Sequence, residues 1–278
     1  MTSFGALSAI KRTVGKKVGH AGTLDKFAQG LLIVLTGAMT RLNPLFMNLD
    51  KRYRAFIRFG SETDTLDPEG KVIATANVPS YEEIAAAVGQ FIGEIEQEPP
   101  AYSALHVDGV RASDRVRSGQ SVQMTKRAVI VHRFELVTYE GGLLEADITV
   151  SKGTYIRSLA RDLAHAVGSR AHLEDLIRTE IGPFDLTEAI KATDREAVIA
   201  SMANSEDYLN RLLGHKHHTV SDRELATMVH GQYPRSVQNV KSGWLLAYDE
   251  NDSLRAVLDA ESRKIAAWVR PYETTVEN

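Results

Sequence analysis

The sequence predicts an α+β fold in which helices and strands alternate and a small β-rich module closes the chain. Three observations carry that reading. Apolar residues recur at helical spacing in Leu7, Ile10 and Val14, in Ile84, Val88 and Phe91, and in Ile156, Leu159, Ala160, Leu163 and Val167. Residues 51–60 instead alternate, with Tyr53, Ala55, Ile57 and Phe59 on one face and Arg52, Arg54 and Arg58 on the other. From about Lys191 the pattern changes to three short strand candidates, 244–248, 254–258 and 265–269, joined by polar turns.

Length allows one large domain and a small one, which we place at 1–190 and 191–278. With no cysteine, disulfides, thiol nucleophiles and Cys-ligated zinc are excluded. No stretch reaches the ~20 apolar residues that cross a bilayer, and no basic-then-apolar leader opens the chain. A cytoplasmic protein without membrane attachment is expected. The net charge of −3 is unevenly spread. Residues 1–60 hold ten basic side chains (Lys11, Arg12, Lys16, Lys17, Lys26, Arg41, Lys51, Arg52, Arg54 and Arg58) against Asp25 and Asp50. That +8 leaves −11 for the remainder. Such a basic region suits phosphate neutralisation, although a solvated charged face has the same composition.

In chain order, Ser3 is positioned to cap a first helix that Gly15 and Gly19 end. The run 19–25, Gly-His-Ala-Gly-Thr-Leu-Asp, then delivers one carboxylate to the edge of an apolar stretch. Asp25 has a plain reading as an N-cap or turn residue, and His20 as a locally bonded turn histidine. On the strand at 51–60, an aromatic residue among arginines suits base stacking and phosphate contact; a half-buried strand with a solvated arginine face fits equally. Residues 67–70 read as a turn, and Ser80 to Glu83 as a capping box. Residues 106–126 are polar, glycine-punctuated and arginine-rich, which predicts a mobile flap. Residues 128–137 and 143–150 form a strand pair. The second feeds Lys152-Gly153-Thr154-Tyr155-Ile156-Arg157, a strand-to-helix turn whose N–H groups suit an anion or water. A short helix over 171–178 follows the stop at Gly168. His215, His217 and His218 lie in a polar linker, without the cysteines or paired carboxylates of a metal site.

Four of these stretches together resemble the TruB-type tRNA pseudouridine synthases. Residues 19–32 match a Gly-His-x-Gly-x-Leu-Asp signature, and 51–53 its Lys-Arg-Tyr motif. Residues 99–104 match Pro-Pro-x-Tyr-Ser-Ala, and 152–159 Lys-Gly-Thr-Tyr-Ile-Arg-Ser-Leu. The resemblance covers roughly 2–190, and the tail looks like the reduced PUA-like module of bacterial relatives. It departs from the family at His106 and Ser113, where lysine and tyrosine are common. Family members usually open with a Lys-Pro-x-Gly strand before Thr-Ser; here Met1 directly precedes Thr2-Ser3, so that strand is expected to be missing.

The resemblance implies a mixed α/β catalytic core on a central, mainly antiparallel sheet, with Asp25 catalytic and Arg157 paired to it. A guanidinium within ~4–6 Å lowers an aspartate pKa by ~1–3 units, which predicts an ionised Asp25. It also implies that Tyr53 and Tyr155 lie against the target base, one of them serving as base for the C5 proton. His20 fills the gap left by the extruded uridine, and the Leu176 backbone contacts the uracil edge. Arg178 and Lys152 are expected to touch the substrate, and 106–126 to fold over RNA. The implied reaction isomerises the uridine at position 55 of the tRNA T loop, with no cofactor, no metal, no obligatory protein partner and a monomeric enzyme. Alternatives are a guide-RNA-dependent synthase, a non-catalytic RNA-binding or RNA-folding protein, and a uridine hydrolase that would release free uracil.

Overall fold

A computed structural model describes residues 2–15, 17–107 and 109–269. Lys16, one of the ten basic residues above, and position 108 of the expected flap lie outside them. The chain forms two compact units. One comprises Leu24–Leu31 and Asn48–Thr187; the other comprises Met1–Thr23, Leu32–Met47 and Glu188–Asn278.

The first unit is built on a seven-stranded sheet. Its path runs Phe184–Asp185, Ala171–Ile181, Lys51–Phe59, Leu143–Val150, Arg127–Glu140 and Gly93–Gln97, with neighbours antiparallel. Gln29–Gly30 adds a short parallel strand beside Ala171–Ile181. The alternation read at 51–60 is realised: Ala55, Ile57 and Phe59 are buried, and Tyr53 packs against the same core. Helix Ile156–Ala166 buries Ile156, Leu159, Ala160 and Leu163 on that core, and helix Tyr81–Val88 adds Ile84. Its capping box forms as expected, with Glu83 N–H on Ser80 Oγ and Ser80 N–H on Glu83 Oε2. Nonpolar burial of this kind contributes roughly 25 cal/mol per Å², so the core fixes the central strand and everything hung on its ends.

Residues 171–178 are strand rather than helix, as part of Ala171–Ile181. The physical reason is two register shifts, at Leu173/Asp175 and Arg178/Glu180. Each bulge adds one residue, so the buried positions fall at Ala171, Leu173, Leu176, Arg178 and Ile181. The resulting alternation of two- and three-residue intervals imitates a helical repeat. The arginine face of the central strand is also settled. Arg52 pairs with Asp147 and Glu180, Arg54 lies 3.4 Å from Glu145, and Arg58 is 2.6 Å from Glu174. Neighbouring strands thus pair three of the ten basic residues counted in the sequence with carboxylates.

In the second unit, helix Ser3–Val14 is capped by Thr2, whose Oγ1 accepts from Gly5 N–H; Ser3 is its first residue rather than its cap. Gly15, at φ 62°, ends it. Val18–Ala21 pairs antiparallel with Ile33–Thr36. The three C-terminal strand candidates form Trp244–Tyr248, Leu254–Asp259 and Lys264–Trp268, with His217–Thr219 completing a four-stranded sheet. Helix Asp222–Met228 closes one side through Leu225 and Met228. Among the histidines here, His217 stacks on Tyr248 at 3.9 Å between ring centroids. No cluster of three or more metal-ligating side chains occurs among the described residues.

Candidate active site

Asp25 stands on a loop, so the N-cap reading does not hold: Ala28 N–H closes a turn on the Asp25 carbonyl at 3.1 Å, and a strand follows. That strand fastens the loop. Gly30 pairs with Arg178, Leu31 N–H donates to the Arg178 carbonyl at 2.8 Å, and Arg178 Nε donates back to the Leu31 carbonyl at 2.7 Å. Gly30 has φ +110°, and a Cβ there would meet the Arg178 carbonyl oxygen at 2.3 Å. Only glycine allows this approach.

The carboxylate faces a buried guanidinium. Arg157, on the first turn of the motif helix and 4 % exposed, places Nε 2.8 Å from Asp25 Oδ2 and donates from Nη2 to Oδ1 at 3.0 Å. This is one hydrogen bond and one close ion contact on a carboxylate whose side chain stays 37 % exposed. The rest of the guanidinium is held by the Thr65 carbonyl at 2.8 Å, the Tyr102 carbonyl at 3.1 Å and Asp67 Oδ2 at 3.4 Å. One arginine therefore ties together the Asp25 loop, the 65–67 turn, the Pro-Pro-x-Tyr segment and its own helix.

Asp67 is the member that sequence reasoning missed, since 67–70 looked like a turn and nothing more. The turn is there, with Gly70 N–H on the Asp67 carbonyl at 3.3 Å. Asp67 also accepts from Thr65 Oγ1 at 2.6 Å and Glu69 N–H at 3.0 Å. Leu66 beside it is buried at φ 60°, a left-handed conformation that costs a branched side chain energy. A strained residue held between two Arg157 ligands is a signal only the backbone can give.

The charge balance at Asp25 corrects one expectation. Its pKa is raised above the ordinary aspartate value, because burial outweighs the lowering by Arg157, and Asp67 and Glu69 push the same way as burial. Arg157 offsets a desolvation cost rather than depressing the pKa below normal. Tyr53 lies close enough for the Asp25 charge to raise its pKa; burial is the larger cause, opposed by the Arg178 guanidinium bonded to it. Tyr53 is a neutral phenol at neutral pH.

The other expected residues are placed as follows. Tyr155 precedes the helix, its N–H donating to Gln97 Oε1 at 2.8 Å and its carbonyl accepting from Gln97 Nε2 at 3.1 Å. Gln97 is fully buried. The turn thus spends the Tyr155 N–H internally instead of offering it to an anion. Arg127 lies over the Tyr155 ring, 4.9 Å from its centroid, and also bonds the Gly153 carbonyl. Lys152 Nζ donates to Asn48 Oδ1 at 3.0 Å. Leu176 is buried, with its N–H on Asp175 Oδ1 at 2.8 Å. Arg178 is 1 % exposed. Asp25, Tyr53, Arg157 and Arg178 thus converge in the first unit, joined by Asp67, while His20 sits on Val18–Ala21 in the second. Of the expected flap, His106–Val107 and Val110–Arg111 form a minimal hairpin and Ala112–Arg117 a short helix.

Comparison with known proteins gives this arrangement a family. Residues 11–156 match the family model for the N-terminal domain of TruB family pseudouridylate synthases, and 157–215 match that of the tRNA pseudouridylate synthase B C-terminal domain. The chain is 45 % identical over 214 residues to tRNA pseudouridine synthase B of Treponema pallidum (strain Nichols), covering 68 % of this chain and 58 % of that protein. It is 45 % identical over 192 residues to the Borreliella burgdorferi (strain B31) protein of the same name, covering 68 % of each. The match thus spans less than two thirds of the length of the Treponema relatives. Among solved structures, a Cbf5-Nop10-Gar1 complex aligns over 98 % of this chain and 81 % of the matched chain, at TM-score 0.63 and 23 % identity. An archaeal box H/ACA Nop10-Cbf5 complex aligns over 98 % and 83 %, at TM-score 0.64 and 22 % identity. These two likenesses concern the fold. The chain belongs to the TruB family of pseudouridylate synthases.

Proposed function

We propose that this protein isomerises a tRNA uridine to pseudouridine, at position 55 of the T loop, with Asp25 as the catalytic carboxylate. The observation that carries the reading is the two-point Arg157–Asp25 contact, at 2.8 and 3.0 Å, with Tyr53 alongside, inside this family's fold. A binding protein has no use for a partly desolvated carboxylate beside a buried guanidinium; a bond-breaking enzyme does. In the reaction the N1–C1′ bond breaks, the base turns, C5–C1′ forms and the C5 proton leaves. Atoms balance within the substrate, apart from a proton exchanged with solvent.

The chain's residues divide the work. Asp25 attacks C6, captures C1′ or removes a sugar proton. Arg157 holds its oxygens in one orientation, and Asp67, Thr65 and Tyr102 hold Arg157. The uridine must leave its stack, at a cost of a few kcal/mol, and Tyr53 and Tyr155 supply faces against which it packs. Burial keeps Tyr53 neutral, so its hydroxyl first gives its proton to solvent; Arg178 stabilises the resulting phenolate, which then takes the C5 proton. Arg178, enclosed by Leu31 and Tyr53, acts through those neighbours. Lys152 and the Leu176 segment contact RNA, His20 occupies the space left by the base, and 106–126 closes over the bound loop. We assign catalysis to 1–190 and added RNA contact to the PUA-like module at 191–278, in a monomeric, cytoplasmic enzyme that needs no cofactor.

A guide-RNA-dependent reading draws on the fold likeness to Cbf5 complexes. The higher identity to named tRNA enzymes favours the tRNA substrate. The test is pseudouridine mapping on an unmodified tRNA transcript, incubated with wild type and with Asp25→Asn. One new T-loop pseudouridine, made by wild type alone, is the expected result. Conversion only with a guide RNA, release of free uracil, or equal activity of Asp25→Asn would each overturn the proposal.

A further inference from the structure

The Lys-Arg-Tyr motif contains a lysine that the reaction above does not use. Lys51 opens the central strand, is 8 % exposed, and bonds through Nζ to the Leu49 carbonyl. Its cross-strand partner is Val150, two residues before Lys152. Lys152 in turn bonds Asn48 Oδ1, so two ammonium groups from different motifs are tied to adjacent residues of one turn. Arg178, on the strand flanking Lys51 from the other side, adds a third positive charge. Gathering three cations at one strand end costs energy unless an anion joins them. Burial lowers Lys51 to about 8, and Arg178 and Lys152 add to that lowering against the opposing pull of Asp50. Asp50 is shared with His132, 3.2 Å away on Arg127–Glu140.

We infer that Lys51 and Lys152 form a cradle for one backbone phosphodiester of the bound RNA, at the end of the strand that carries Tyr53. The exposed Lys152 supplies the open side, and the buried Lys51 supplies a fixed charge whose desolvation is already spent. A phosphate there grips the backbone two residues from Tyr53 along the strand and holds the chain while the base is drawn out of its stack. This inference rests on the RNA-modifying function proposed above.

The experiment measures equilibrium binding of an unmodified tRNA transcript to the full chain across a salt series, for wild type, Lys51→Met and Lys51→Arg. If the cradle is real, Lys51→Met weakens binding about tenfold and reduces the slope of log K against log salt by about 0.7–0.9, the loss of one phosphate contact. Lys51→Arg restores both. A second arm follows wild type from pH 7 to 9. Bound phosphate favours the charged lysine, so affinity falls as pH rises through the free-protein value near 8, whereas Lys51→Arg stays flat. This arm needs no apolar substitution and holds even where Lys51→Met folds poorly. Unchanged affinity and slope in Lys51→Met, equal losses in Met and Arg variants, or a flat wild-type pH profile would overturn the cradle. If wild type makes pseudouridine while those results appear, the cradle alone fails; if wild type makes none, the functional reading beneath it fails.

Discussion

Replacing Arg157 with methionine isolates the electrostatic part of the site. The guanidinium lies 2.8 Å from Asp25. At an effective dielectric of ~20 that contact is worth ~6 kcal/mol, but Asp25 keeps 37 % of its side-chain exposure and solvent screens the pair. An effective dielectric of ~40–80 leaves ~1.5–3 kcal/mol. Burial already raises the Asp25 pKa against the pull of Arg157. Without that pull the value climbs further, and the fraction ionised falls. Single-turnover pseudouridine formation, followed by release of tritium from C5-labelled tRNA, should therefore show an acid limb moved to higher pH in Arg157→Met. The plateau should fall ~100-fold or more, because the carboxylate loses its two-point orientation. Arg157→Lys keeps the charge and should restore most of the limb but little of the plateau, since one ammonium cannot serve two carboxylates and two carbonyls. An acid limb that stays in place in Arg157→Met would refute the claim that Arg157 offsets the desolvation of Asp25.

Three further outcomes are expected. Asp25→Asn should abolish turnover while tRNA affinity changes less than about threefold. The sign of its stability effect is also fixed. A raised folded-state pKa means that stability from Asp25 is full below the unfolded value of ~3.9 and is lost as pH rises through the folded one. The asparagine variant should then melt no lower than wild type at pH 7.5 by calorimetry, and a lower Tm would contradict the direction of that shift. Gly30→Ala forces a Cβ to within 2.3 Å of the Arg178 carbonyl oxygen at φ +110°. We expect a loss of ~3 kcal/mol or more, seen as a Tm drop of ~6–12 °C, and an unchanged melt would mean the loop is not clamped there. Gln97→Leu strands the Tyr155 N–H and carbonyl that Gln97 now satisfies. It should cost ~2–4 kcal/mol in chemical denaturation, with no cost marking the bridge as unimportant.

Much of the fold was legible because local pattern and tertiary burial agree. The alternation at 51–60, the helical stripe after Ile156 and the Ser80 capping box depend on spacing within a few residues, and each appears where spacing places it. The strand over Ala171–Ile181 was not legible because two bulges stretch its buried interval from two residues to three. Nor could charge counting see that the arginines of the central strand face carboxylates on both neighbouring strands.

The sequence by itself singled out the candidate groups: a motif aspartate, a Lys-Arg-Tyr tyrosine and an arginine far along the chain, in an order shared with one family. Only the tertiary structure decided how those groups are poised. It brought in Asp67 across 90 positions of sequence to hold the far side of Arg157, and it set burial against ion pairing at Asp25 so that burial prevails. It also gathered Lys51, Lys152 and Arg178 at one strand end. The reason is general to polar sites. Residue identity fixes what a group is able to do, whereas desolvation and the approach of distant charges exist only once the chain has folded.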